Sequence, residues 1–281
     1  MPLSPLITVE QLKAKLGDPD LVILDASVAP VVPGFEAINS GDELQLIPGS
    51  RRFDYDKKIC KPDSSLPHMM PEAGQFQSQV RELGINQDSF IVVYDDCGIY
   101  ASPRAWWMFR AMGHEQVAVL DGGLPAWIAA GQETTDSYET EVAAGDFTAD
   151  EQAGLFCDAA EVLKALDDAS SKILDARSAG RFNGLEPEPR PGLRGGHMPG
   201  AGNLPCRMVL NGQFLKPPQE LKSLFQGLLR PEQRLISSCG SGITACILTL
   251  AAARAGHQKL SVYDGSWVEW GMPSKLPVVS D

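Results

Sequence analysis

The chain repeats itself once, and that repeat limits the fold more than any other feature of its 281 residues. Leu21-Val22-Ile23-Leu24-Asp25-Ala26 reads like Lys172-Ile173-Leu174-Asp175-Ala176-Arg177, and Ile47-Pro48-Gly49-Ser50 returns as Met198-Pro199-Gly200-Ala201. Arg110-Ala111-Met112-Gly113-His114 returns as Arg254-Ala255-Gly256-His257. Val119-Leu120-Asp121-Gly122-Gly123 returns as Val262-Tyr263-Asp264-Gly265-Ser266, and Trp127 matches Trp270. A period this long means a duplicated domain, since the units of a solenoid are far shorter. The acidic, small-residue stretch from Thr134 to Asp146 has neither the helical nor the strand period. Domains are therefore expected at 1–138 and 150–281, with 139–149 as a linker.

Each half alternates short apolar runs with helical patterns. Leu21 to Leu24, Phe90 to Tyr94 and Val117 to Leu120 have the continuous apolar character of buried parallel strands. Ile173-Leu174, Leu235-Ile236 and Leu260 to Tyr263 play the same part in the second half. Ser102-Pro103 has the chemistry of a helix start, and that helix is expected to stop at Gly113; its counterpart runs from about Thr244 to Gly256. Alternation of this kind predicts an α/β fold, each domain a mostly parallel sheet flanked by helices. Functional loops of such sheets lie at the carboxyl ends of the strands.

Composition narrows the partners. A net charge of −12 argues against nucleic acid or an anionic membrane surface as the main partner, because both demand clustered Lys and Arg. It leaves room for a small anion held by a few local arginines. No apolar run approaches the roughly eighteen residues of a membrane span, and Met1 to Leu6 lacks the basic and apolar regions of an export signal. Cys60, Cys97, Cys157, Cys206, Cys239 and Cys246 form neither a CxxC pair nor a zinc spacing, so no zinc site is expected from them. Sparse, reduced thiols fit a cytoplasmic protein.

Cys239 stands apart from the other five. It follows the apolar Leu235-Ile236 run and precedes Gly240-Ser241-Gly242-Ile243-Thr244, after which a helix begins. Two glycines let the backbone curl so that successive N–H groups face inward as an anion-binding nest, and the helix adds the positive end of its dipole. A thiol there is favoured as thiolate, and a persulfide anion would be held by the same donors, with the Ser241 and Thr244 hydroxyls as further ones. From spacing alone, a buried strand-end cysteine beside an ordinary Gly-rich turn fits equally well. The repeat adds weight to chemistry in one copy: with Gly256 set on Gly113, Cys239 falls opposite Asp96, which cannot act as a soft sulfur nucleophile.

The loop Cys239-Gly240-Ser241-Gly242-Ile243-Thr244-Ala245 resembles that of the mercaptopyruvate sulfurtransferases, a branch of the rhodanese superfamily. The resemblance extends over nearly the whole chain, through Leu174-Asp175-Ala176-Arg177, Gly196-His197-Met198-Pro199-Gly200-Ala201, Tyr100 to Trp107, Leu120-Asp121-Gly122-Gly123 and Trp270-Gly271. It implies two rhodanese-like domains, the first inactive and the second catalytic, with sulfur carried as a persulfide on Cys239. Relatives that favour thiosulfate have Arg and Lys after the cysteine. Gly240 and Ser241 stand there in this chain, the pattern of 3-mercaptopyruvate as donor. The family's two carboxylate-binding arginines correspond to Arg181 in Gly180-Arg181-Phe182 and Arg190 in Glu188-Pro189-Arg190; a planar guanidinium suits a carboxylate because it binds bidentately. Arg194, nearby, is expected only to shape the local potential. Asp56 and His68 correspond to a first-domain pair that cooperates with the loop serine, here Ser241, although the spacing carries one inserted residue. Leu46 replaces a histidine before Ile47-Pro48-Gly49, and Arg51-Arg52 replaces apolar residues.

The resemblance implies transfer of sulfur from 3-mercaptopyruvate to a thiol, cyanide or a thioredoxin-like protein, with release of pyruvate. Three alternatives remain: a thiosulfate sulfurtransferase, a rhodanese-fold phosphatase, and a non-catalytic persulfide relay. The phosphatase loop has one more residue and ends in Arg, which this loop lacks; intact Arg181 and Arg190 favour an enzyme over a relay.

Overall fold

The computed structural model describes residues 4–41 and 43–280; Met1, Pro2 and Leu3, part of the stretch searched for an export signal, lie outside them. The chain divides into two compact units. The first comprises Met1–Pro62, Met70–Gln152 and Gly212–Leu215, the second Asp63–Met69, Ala153–Asn211 and Lys216–Asp281. No helix among the described residues is long and apolar enough to cross a membrane.

In the first unit, β1 (Leu6–Ile7), β2 (Leu21–Asp25), β3 (Ser50–Arg52), β4 (Phe90–Tyr94) and β5 (Val117–Leu120) form one sheet in the order β1-β5-β4-β2-β3. Every pairing is parallel. Four helices accompany it: α1 (Val9–Lys13), α2 (Ala73–Glu82), α3 (Ser102–Ala111) and α4 (Gly123–Ala129). Thr8 starts α1 with a reciprocal capping box to Gln11. Val9 and Leu12 of α1 and Leu124 and Trp127 of α4 pack on Ile23 and Val92 in one core. With helices covering the sheet, strand residues on both faces must be apolar, which is why β4 and β5 read as uninterrupted runs.

The second unit repeats the plan. β6 (Phe156–Cys157), β7 (Ser171–Asp175) and β8 (Gly202–Asn203) join β11 (Arg234–Ser238) and β12 (Leu260–Tyr263) in the order β6-β12-β11-β7-β8, again all parallel. The short strands β9 (Leu210–Asn211) and β10 (Phe214–Leu215) lie outside both five-stranded sheets. The helices are α5 (Ala159–Ala165), α6 (Ala179–Phe182), α7 (Pro218–Gln226), α8 (Ala245–Ala255) and α9 (Ser266–Trp270). Ile173, Ile236, Tyr263, Trp267 and Trp270 form the centre of its core. Gly256 ends α8 at φ 101°, a backbone conformation open to glycine and costly for most other residues.

The stretch 139–149, expected as a linker, lies along the first unit. Gly145 N–H donates to Arg81 O (2.8 Å), Phe147 N–H to Ile85 O (3.2 Å), and Arg81 Nε to Phe147 O (2.6 Å). Phe147 is fully buried, edge-on to Phe76 and 5.7 Å from the His114 ring. An extended strap fixed through backbone atoms and one aromatic anchor has no period to read.

His114 supplies a pH test of this packing. Its Nε2 meets Ser89 O at 2.9 Å, and burial holds the imidazole below its ordinary range, against the raising effect of hydrogen bonds to Ser89 and Gln116. The unfolded chain therefore binds this proton first as pH falls. The contribution of neutral His114 is complete above the unfolded value, about pH 6.5, and is lost as pH drops through it, at most about 1.4 kcal/mol per pH unit. Urea midpoints taken from pH 7.5 to 5 should fall, and His114→Gln should flatten that slope.

The two arginines that depart from the family pattern have defined places in the first unit. Arg51 Nη1 donates to Leu83 O (2.6 Å) at the end of α2. Arg52 sits opposite Asp25 in the ladder as Asn203 sits opposite Asp175. Arg52 donates to Asp25 O (3.1 Å) and Ser27 O (2.6 Å); Asn203 Nδ2 donates to Asp175 O and Arg177 O, both at 2.9 Å. Two different side chains thus stitch the same strand end in the two copies. Two positions past the strand end, Ser27 stands where the second copy has Arg177.

Candidate active site

Strand register determines which residues of the two copies correspond. Asp25 pairs with Tyr94 and Asp175 with Ser238, so the first residue past the strand is Asp95 in one copy and Cys239 in the other. This corrects the gap-free superposition on Asp96: the run from strand end to helix is 95–101 before α3 but 239–244 before α8, so the first loop is one residue longer.

That longer loop is filled from within. Asp95 Oδ2 accepts N–H groups of Tyr100 (2.9 Å), Ala101 (2.9 Å) and Ser102 (2.8 Å) and the Ser102 hydroxyl (2.6 Å), while Oδ1 accepts Cys97 N–H (3.0 Å). Asp95 therefore satisfies the free donors at the start of α3, and Ser102, expected to cap that helix, is instead inside it. The neighbouring Cys97 thiol is pushed up by burial and by the Asp95 and Asp96 carboxylates, which opposes its ionisation. Burial, with Asp95 and Asp25 close by, raises Asp96 as well.

In the second copy the same place holds sulfur. Cys239 is 1% exposed, at the carboxyl end of β11. Gly242 N–H donates to Sγ at 3.2 Å, the inward-facing amide that the loop composition predicted. Gly242 has φ 82°, left-handed, and a side chain there would oppose the turn. The Cys239 carbonyl accepts Trp267 N–H (3.0 Å), and Gly240 O accepts Val268 N–H (2.8 Å), so the first turn of α9 holds the loop from behind. Ile243 and Thr244 are buried; the Thr244 hydroxyl makes no capping bond to α8. Ser241 is buried, and its hydroxyl has no hydrogen-bond partner among the described residues. One amide donor, Gly242 N–H, thus faces the sulfur from within its own loop, just ahead of α8.

Arg181, on α6, reaches this loop. A Cβ placed on Gly240 would lie 3.3 Å from Arg181 Nη2, close enough to push the guanidinium back by a few tenths of an ångström. Arg181 pairs through Nε (3.1 Å) and Nη2 with Glu188 Oε2, and Glu188 Oε1 receives Arg177 Nη1 at 2.6 Å. Arg190 is exposed on the following loop and makes no hydrogen bond or ion pair among the described residues. Arg194 is a structural clamp: it donates to Trp270 O (2.7 Å) and Leu276 O (2.9 Å). His68 is buried at φ 59° within Asp63–Met69, which belongs to the second unit; Asp56 is half-buried in a turn of the first.

Two residues of this arrangement escape a motif reading. Ser266 has φ 49°, unusual for a residue with a side chain, and is fully buried. Its Oγ accepts Cys239 N–H (3.2 Å) and donates to Tyr263 O (2.9 Å). The matching Gly123 has φ 54°, so the repeat itself carried the signal: a hydroxyl replaces hydrogen at a glycine position only in the copy with the cysteine. Glu188 is the other, inconspicuous in a loop of exposed residues.

A sequence model of the Rhodanese-like domain matches residues 8–130 and 158–272, one stretch in each half. The chain belongs to this rhodanese-like family. It is 38% identical over 275 residues to 3-mercaptopyruvate sulfurtransferase of Escherichia coli K12, covering 97% of this chain and 96% of that one. It is 38% identical over 301 residues to the mitochondrial thiosulfate/3-mercaptopyruvate sulfurtransferase 1 of Arabidopsis thaliana, covering 99% and 78%. The crystal structure of SseA from Escherichia coli, described as a 3-mercaptopyruvate sulfotransferase with the rhodanese fold, superposes with a TM-score of 0.82 at 34% identity, covering 94% of this chain and 99% of that one.

Proposed function

We propose that this chain moves sulfur from 3-mercaptopyruvate through a persulfide on Cys239 to a thiol, cyanide or thioredoxin-like acceptor and releases pyruvate. The observation that carries the reading is Arg181 held beside Gly240, within reach of a carboxylate whose sulfur lies at Cys239. No cation directly follows Cys239 in the chain, as a compact dianion such as thiosulfate would favour. The relatives' names supply the donor.

In the proposed reaction Arg181, with Arg190, orients the substrate carboxylate and carbonyl. The Cys239 thiolate attacks the substrate sulfur, forming the S–S bond as the sulfur–carbon bond breaks. The electron pair of that bond leaves as pyruvate enolate, which takes a proton at its methylene carbon. Ser241 is the proposed donor; His68 and Asp56 enter as its relay on the resemblance alone. Gly242 N–H bears on the charged sulfur throughout. An acceptor thiolate then attacks the outer sulfur and restores the Cys239 thiolate, a ping-pong cycle. These residues carry the whole cycle without a metal or organic cofactor. Six unpaired cysteines fit a reducing compartment such as the cytoplasm.

Incubation with 3-mercaptopyruvate and no acceptor should release one pyruvate per chain and add one sulfur atom to the peptide containing Cys239. Sulfur on Cys97 instead, or pyruvate with no sulfur bound, would overturn the reading.

A further inference from the structure

The geometry points to Glu188 as a positioning residue that fixes how Arg181 meets the sulfur donor and so sets donor preference. The inference rests on the reading of Cys239 and Arg181 given above.

Glu188 lies in a loop where Leu185, Glu186, Pro187, Pro189 and Arg190 are exposed, yet its own carboxylate is turned inward and only 3% exposed. Each of its oxygens holds a different arginine. Oε1 takes Arg177 Nη1 (2.6 Å); Oε2 takes Nε (3.1 Å) and Nη2 of Arg181. Arg177 is fixed independently, by Asp175 (2.7 Å), by Gly196 O (2.8 Å) and by the Trp267 ring 3.9 Å below its guanidinium. Trp267 in turn donates its N–H to the Cys239 carbonyl. A closed circuit results: the Cys239 loop, Trp267, Arg177, Glu188, Arg181, and back to Gly240. Glu188 is the link that ties Arg181, a long side chain on a four-residue helix, to the fully buried Arg177.

Two consequences follow for an incoming anion, and both act in the same sense. With Nε and one N–H of Nη2 turned to Glu188, Arg181 keeps its Nη1–Nη2 edge free in one orientation, which suits a planar carboxylate. The adjacent carboxylate also lowers the local positive potential, and that penalises a compact dianion more than a monoanion. Neutralising Glu188 loosens the orientation that mercaptopyruvate needs and removes the penalty on thiosulfate.

The test is steady-state turnover with each donor, cyanide as acceptor, for wild type, Glu188→Gln, Arg181→Ala and the double variant, with active sites counted by alkylation of Cys239. Glu188→Gln is near-isosteric and keeps one acceptor oxygen. It should lower kcat/KM for 3-mercaptopyruvate about tenfold, mainly through KM, and leave or raise that for thiosulfate, so that the donor ratio falls by about tenfold or more. In the Arg181→Ala background the same substitution should leave the ratio within about twofold. Equal losses for both donors would make Glu188 a support of the fold only, and an undiminished ratio change without Arg181 would place its action elsewhere; either overturns the inference. A wild type that prefers thiosulfate would overturn the donor reading, while the change of ratio between variants would still judge Glu188.

Discussion

Cys239→Ser should lower pyruvate release from 3-mercaptopyruvate by about a thousandfold or more, because a hydroxyl is neither ionised at neutral pH nor able to accept sulfur as a persulfide. The substitution is close to isosteric in a site whose backbone is held by Ser266, Trp267 and Val268, so the loop should keep its shape. Cys97→Ser is the matched control. That thiol is buried beside two carboxylates and points toward Asp96 (3.6 Å), and its loss should leave turnover within about twofold. Substantial activity in Cys239→Ser would move the nucleophile elsewhere in the chain.

Arg177→Ala should be the most damaging stability change near the site. Burial opposes charge on its guanidinium, but Asp175 and Glu188 outweigh that and hold it above its ordinary range. The side chain is fully buried, and the carboxylates it serves are 2% and 3% exposed. Truncation strands the buried Asp175 charge, leaves Glu188 with Arg181 as its one cation and uncovers the face of Trp267, a cost of about 3–5 kcal/mol. Urea unfolding followed by tryptophan fluorescence reads the loss directly. Arg177→Lys should recover only part of it, since an ammonium cannot reach Asp175, Glu188 and Gly196 together. A midpoint unchanged by Arg177→Ala would mean that water already compensates these carboxylates.

The fold was legible because its signals are periodic. Apolar runs placed β2, β4, β5, β7, β11 and β12, and the repeat supplied the second sheet from the first. The place of Cys239, at a strand end ahead of a left-handed glycine turn, was legible as well. Less could be read where the chain relies on single contacts: the strap carrying Phe147 is anchored through backbone atoms, which any sequence possesses. The loop register slipped by one because the two copies differ in length at the point that matters, and only the ladder pairing of Asp25 with Tyr94 reveals it. Glu188 was invisible for another reason. Its neighbours are polar and exposed, and nothing in the composition separates an inward carboxylate from an outward one.

Asp95, seated among the amides of its own loop, also limits what the first copy can become. A thiol at position 95 alone would face a loop one residue too long, a serine at 27 where its twin has Arg177, and a glycine at 123 where its twin has the Ser266 hydroxyl. Each replacement made singly would disturb a satisfied structure without yielding sulfur transfer. On the proposed reading, a sulfur site in the first half would need these changes together, because each one alone meets a loop built around the Asp95 carboxylate and a glycine at 123 with no room for a side chain.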